Sequence, residues 1–96
     1  MRLMLKFSFP TTAESNAWIR EGTIGQKMES ILETIQPEAA YFGAVDGVRG
    51  GYIVLNMDEA SEIPAKLEPF FQELGAAVEY SPVMTPEDLR TALQNL

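Results

Sequence analysis

Hydrophobic positions along this chain change period, from two to a helical spacing and back, often enough to outline the whole domain. Arg2–Phe9 alternates strictly, with Leu3, Leu5, Phe7 and Phe9 on one face and Arg2, Met4, Lys6 and Ser8 on the other. That is the pattern of a strand with one face in a core. Pro10 stops it. A helical region then opens at Thr11–Thr12, with Glu14 placed three residues after Thr11 as in a capping box. Ala17, Trp18, Ile24, Met28, Ile31, Leu32 and Ile35 recur at helical spacing up to Pro37. Gly22 and Gly25 weaken this segment by about 1 kcal/mol each relative to Ala. Either the helix runs on and something approaches closely at the glycines, or it breaks there; the spacing predicts a nearly continuous helix.

Residues 38–45 and 48–57 read as two strands around Asp46-Gly47. Asp-Gly between apolar runs is a strong hairpin signal, because a type I′ turn needs positive φ at both central residues. Gly50-Gly51 just inside the second strand implies a bulge or a close approach of backbone or ligand, and the bulge is the commoner case. Asp58 or Ser61 is placed to cap the next helix. Its apolar face is Ile63, Leu67, Phe70, Phe71 and Leu74. Pro64 suits a first turn, Pro69 predicts a kink, and Gly75 a C-terminal cap. Residues 76–84 form the last predicted strand, and Pro82 requires it to lie at an edge. Thr85-Pro86-Glu87-Asp88 then starts a short helix striped by Leu89, Ala92, Leu93 and Leu96.

The order β-α-β-β-α-β is the split unit of ferredoxin-like α+β folds. Right-handed crossovers put both main helices on one face of a four-stranded antiparallel sheet of order 4-1-3-2, with Pro82 on an edge strand. With Leu3, Leu5, Phe7, Ile53, Leu55, Val78 and Tyr80 turned toward the helices, the other face carries Met4, Lys6, Ser8, Tyr52, Val54, Asn56, Ala77, Glu79 and Ser81. One of Tyr41 or Phe42 joins them. This face is too apolar for free exposure over a whole sheet. A homodimer interface or a cavity wall is the expected use, with the last helix covering part of it in cis or across the partner.

Ninety-six residues make one domain, 1–96. A net charge of −7, from 14 acids and 7 bases, opposes binding to nucleic acid or an anionic membrane surface. No run approaches the ~20 apolar residues of a membrane span, and no secretory pattern is visible at the start. The absence of cysteine fits a reducing cytoplasm. The absence of histidine removes the commonest general base and metal ligand.

The layout resembles the dimeric α+β barrel superfamily, in which two ferredoxin-like subunits pack sheet against sheet. The segment Pro37-Glu38-Ala39-Ala40-Tyr41-Phe42, the Asp46-Gly47-Val48-Arg49-Gly50-Gly51-Tyr52 hairpin and the Leu67…Pro69-Phe70…Leu74-Gly75 helix end look like an uncharacterised bacterial family of such short domains. The similarity spans most of the chain, and its motifs are structural. Relatives in the superfamily include muconolactone isomerase, antibiotic-type monooxygenases and stress-induced proteins. Muconolactone-type and many related active sites use histidine or acidic groups inside the barrel, and this chain has no histidine. No catalytic residue carries over, and fold similarity alone warrants no activity.

Candidate chemistry is sparse. Arg49-Gly50-Gly51-Tyr52-Ile53-Val54 invites comparison with the third-strand signature of RNA-recognition domains, but Gly51 and Ile53 stand where stacking aromatics are needed. No phosphate-loop or dinucleotide fingerprint is present. Asp58, Glu59 and Glu62 are better explained by capping than by a cation. Lys6 and Glu79 lie on neighbouring strands, as a cross-strand ion pair or as a buried pair that handles a proton. Arg49 is either a solvated hairpin residue or a guide for an anion. Trp18 is most simply core, and the tyrosines are more often packing residues than acids.

The resulting expectation is a cytoplasmic homodimer without cofactor or metal. Its paired sheets enclose a cavity for a small organic ligand, lined by Met4, Lys6, Tyr41, Tyr52, Asn56 and Glu79. The alternatives are an isomerase or cofactor-independent monooxygenase using Lys6, Glu79 and a tyrosine, and a monomeric interaction module with an open sheet.

Overall fold

A computed structural model describes all residues, Met1–Leu96. The elements are β1 (Arg2–Phe9), α1 (Ala13–Glu21), α2 (Thr23–Ile35), β2 (Ala39–Val45), β3 (Val48–Asn56), α3 (Ile63–Leu74), β4 (Ala77–Val83) and α4 (Pro86–Gln94), with a 3₁₀ turn at Ala60–Glu62 before α3. The strands form one antiparallel sheet in the order β2-β3-β1-β4, which is the expected order read from the other edge. β4 is an edge strand, as Pro82 demands.

Alternation along β1 sets the layers. Leu3, Leu5, Phe7 and Phe9 are buried, and Leu5, Phe7 and Phe9 with Ile53 and Leu55 of β3 meet Ile31 and Ile35 of α2 and Leu67, Phe70 and Leu74 of α3. Burying one such side chain is worth ~2 kcal/mol. At the centre the Phe7 and Phe70 rings lie 4.9 Å apart. Ser15 is the one buried polar side chain; its hydroxyl donates to the Pro10 carbonyl at 2.8 Å and accepts from Thr12 N–H at 3.0 Å.

Several local expectations are corrected. The long helix is not continuous. It breaks at Gly22, whose φ of 78° lies in the left-handed region, where a side chain is strained. The Gly22 N–H closes α1 on the Ile19 carbonyl and α2 starts afresh. The first cap is Thr12 rather than Thr11, paired with Ser15 rather than Glu14. Neither Asp58 nor Ser61 caps the third helix. Instead Glu62 accepts from the backbone N–H groups of Asp58 and Glu59 at 2.9 and 2.8 Å.

The hairpin turn is as expected, with φ of 53° at Asp46 and 82° at Gly47. The Gly50-Gly51 bulge is absent, since both neighbours pair with these residues in unbroken register. Close approach is the reason for the glycines. A Cβ at Gly50 would collide with the Phe7 carbonyl and press on Val45, and one at Gly51 would collide with the Tyr41 carbonyl and sit 2.9 Å from the Phe7 ring.

Coverage by the helices is narrower than expected. Tyr80 pairs with Leu5 and Phe42 with Gly51, so both belong to the helix-side rows. Yet Tyr80 is 45% and Phe42 55% exposed. α4 is capped as predicted by Thr85 and Asp88, but none of its residues is buried, so it does not cover the sheet in cis.

Gly51→Ala should lower unfolding stability by about 1–3 kcal/mol, the usual range for overpacking a filled site. Gly43→Ala, whose Cβ meets nothing within 4 Å, should stay within about 0.5 kcal/mol of the parent. Urea denaturation of both variants measures the difference.

Candidate functional site

Strand register places the open-face residues in rows. Glu79, Lys6, Tyr52 and Tyr41 form one row across β4, β1, β3 and β2, and Ser81, Met4, Val54 and Ala39 form the next. Arg2 and Asn56 follow at one end of the sheet. The choice between Tyr41 and Phe42 falls on Tyr41, 65% exposed beside Tyr52 at 44%.

A depression of about 290 Å³ lies over this face, lined by Met4, Lys6, Tyr52, Glu79, Tyr80 and Ser81. Four of the six expected site residues, Met4, Lys6, Tyr52 and Glu79, therefore come together. Tyr41 stands one strand farther out, at the β2 edge. Asn56 sits near the N-terminus, where its Oδ1 accepts from the Met1 ammonium at 3.4 Å. Tyr80 joins the lining although its row faces the helices, because nothing covers the β4 edge.

Lys6 is the electrostatic centre of the face. Its Nζ lies 3.7 Å from Glu79 Oε2, the expected cross-strand pair, but only 2.9 Å from Asp46 Oδ2. Sequence reasoning missed Asp46, which stood out only as the first residue of a turn. The hydrogen bond to Asp46 is the main reason the Lys6 ammonium titrates above the ordinary lysine value; burial opposes it, and the charges of Asp46 and Glu79 add to it. A lysine that trades protons near neutrality needs its pKa moved down. Lys6 is moved the other way and stays a cation.

No three His, Cys, Asp or Glu side chains are grouped as metal ligands would be. Glu62, one of the acids considered for a cation, is committed to two backbone N–H groups, and those bonds hold its carboxyl below the usual range. No helix is long and apolar enough to cross a membrane.

This geometry defines a class first: a ferredoxin-like α+β domain with an exposed, tyrosine-bearing sheet face. The chain belongs to the family described as Domain of unknown function (DUF3303), whose model matches residues 1–96. No curated protein matches it. Among solved structures it is similar to 5-chloro-2-hydroxyhydroquinone dehydrochlorinase (TftG) from Burkholderia phenoliruptrix AC1100, solved in complex with 2,5-dihydroxybenzoquinone. The TM-score is 0.50 at 17% identity, over 88% of this chain and 96% of that one. A de novo designed protein, Ferredog-Diesel, aligns at TM-score 0.49 and 8% identity over 85% of each chain. At 17% identity the TftG likeness supports the fold and not the activity.

Linkage fixes the sign of the Lys6 effect. A pKa raised by folding contributes stability fully below the unfolded lysine pKa, and that contribution disappears as pH rises through the folded value. Asp46→Asn should bring the Lys6 pKa down toward the ordinary value, and Glu79→Gln should lower it less. A ¹⁵Nζ NMR titration of Lys6 in the three proteins checks the order.

Proposed function

We propose that the protein is a homodimer whose open sheets face each other and hold a small organic ligand between them. The observation that carries this reading is the exposed Tyr41–Tyr52 pair, with Met4 and Val54 in the next row, on a face that no element of the same chain covers. Exposed aromatics grouped this way mark interaction sites more often than free surface.

Area arithmetic brings in α4. Four strands spaced ~4.8 Å apart and eight residues long span roughly 19 by 26 Å, or about 500 Å² in projection. A stable interface buries ~800 Å² per partner. In projection the sheet alone falls short of that figure. Leu89 and Leu93 on α4 and Leu96 just beyond it, all exposed, supply the remainder if they lie across the partner. A helix of nine residues also needs such packing, because isolated helices shorter than ~12–15 residues are marginal in water.

Charge narrows the ligand. Lys6 is already shared by Asp46 and Glu79, so the local balance is negative and an anion is disfavoured. A neutral ring bearing hydrogen-bonding groups fits the tyrosines and Met4 better. A small quinone is held by TftG, which has the same fold. The enzyme alternative, an isomerase or cofactor-independent monooxygenase built on Lys6, Glu79 and a tyrosine, needs a group that changes protonation at working pH. The upward shift at Lys6 favours binding without catalysis.

Sedimentation velocity over a hundred-fold dilution should find a dimer. Tyr52→Asp should give a folded monomer, and Leu89→Asp with Leu93→Asp should weaken association at least about ten-fold. A wild-type monomer at every concentration would sink the reading. Native mass spectrometry of protein purified without stripping should detect a small neutral adduct.

A further inference from the structure

A groove of about 330 Å³ lies on the opposite, helix-bearing side of the sheet, where the helix layer stops short of β2. Its walls are Ile19, Ile24 and Met28 from α1 and α2, and Phe7, Phe9 and Phe42 from the sheet. The volume is at the lower end for small-molecule sites.

Three features give the groove a chemistry. First, Arg49 stands in its lining. The guanidinium has one protein partner, the neutral Asn16 Oδ1 at 2.9 Å. Acids outnumber bases two to one in this chain. Arg2, Lys6 and Lys27 take carboxylate partners, Arg20, Lys66 and Arg90 do not, and of the bases without such a partner Arg49 alone lines this groove. Arg49 takes none, although the guanidinium fork is the side-chain group best matched to a carboxylate. Second, Asn16 holds that guanidinium on the α1 side, so it is positioned without being neutralised. Third, Gly25 lines the groove from within α2. Its backbone φ is not positive, and a Cβ there would meet nothing within 4 Å. Neither conformation nor crowding requires glycine at this first-turn position of α2, where Ala would favour the helix more. Its effect is to leave space open beside Met28.

We propose that this groove binds an amphiphilic carboxylate, a medium-chain or arylalkyl acid. The apolar body lies against Phe7, Phe42 and Met28, and the carboxylate takes the free N–H groups of Arg49. The site does not rest on dimerisation, since its walls come from one chain and lie across the sheet from the proposed interface. It also selects the charge that the Lys6 face disfavours.

Decanoate, used below its micelle concentration, is the probe, with decanol as the uncharged control. Isothermal titration of the intact protein should give one decanoate per chain, bound at least about ten-fold more tightly than decanol, as a charge-assisted bond requires. Arg49→Gln should reduce decanoate to the level of decanol and leave decanol unchanged. Gly25→Leu should keep or raise the Tm and abolish both. Tyr52→Asp should leave decanoate binding intact, which separates this site from the open face. Equal affinity for acid and alcohol, or undiminished decanoate binding in Arg49→Gln or Gly25→Leu, would overturn the proposal. So would cross-chain NMR contacts between Leu89 or Leu93 and Phe42 in the unliganded protein, because a second copy would then occupy the groove.

Discussion

Gly51 stands between Phe7 and Phe42 in one row of the sheet, and the lack of a side chain there lets the two rings meet edge to face, with centroids 6.4 Å apart. Phe7 thereby spreads over β3 as well as β1, and its ring is also the one that α3 packs on through Phe70. Any larger residue at Gly51 would push the ring out of that position. The consequence runs outward in both directions. On the helix side, Phe7 and Phe42 become walls of the apolar groove. On the other side, Gly50 lets Val45 press down on the backbone and bury itself at the end of β2, next to the turn from which Asp46 reaches Lys6.

Helix width accounts for what remains uncovered. Packed helices sit 8–10 Å apart, so a pair centres its contact on the two inner strands of a four-stranded sheet. β1 and β3 receive that cover, and their helix-side residues other than Arg49 are buried. β2 and β4 receive little of it, which leaves Phe42 and Tyr80 as exposed aromatics at opposite edges of one face. The groove at β2 and the exposed rim at β4 are thus products of the same shortfall. The open face is its complement, because no helix is available there at all.

Much of this was legible from spacing alone. Strict alternation in β1, the Asp46-Gly47 turn and the edge demand of Pro82 were enough to fix strand order and the Lys6–Glu79 pairing. What was not legible depended on distances that a linear pattern does not carry. Gly22 and Gly25 are alike in sequence, yet only Gly22 adopts a positive φ, and tertiary packing decides which glycine of such a pair breaks the helix. Gly50-Gly51 fits a bulge as well as a close approach until the Phe7 and Tyr41 carbonyls are placed beside it. Asp46 was hidden by its first role, since a residue that satisfies a turn offers no further pattern to read. Tyr80 followed the correct parity, but parity says which face a side chain takes and not whether anything lies over it.

The position of β1 bears on how the protein is made. β1 leaves the ribosome before the other three strands, yet in the sheet it lies between β3 and β4, which emerge some forty to seventy residues later. Its backbone hydrogen-bonding groups and its row of leucine and phenylalanine wait unpaired while the helical segments and the β2–β3 hairpin are synthesised. The hairpin, whose strands are joined by a two-residue turn, has by far the shortest loop to close. It is the natural template onto which β1 docks, and β4 completes the sheet afterwards. In the nascent chain, the strand at the heart of the fold is therefore the one longest exposed to wrong partners.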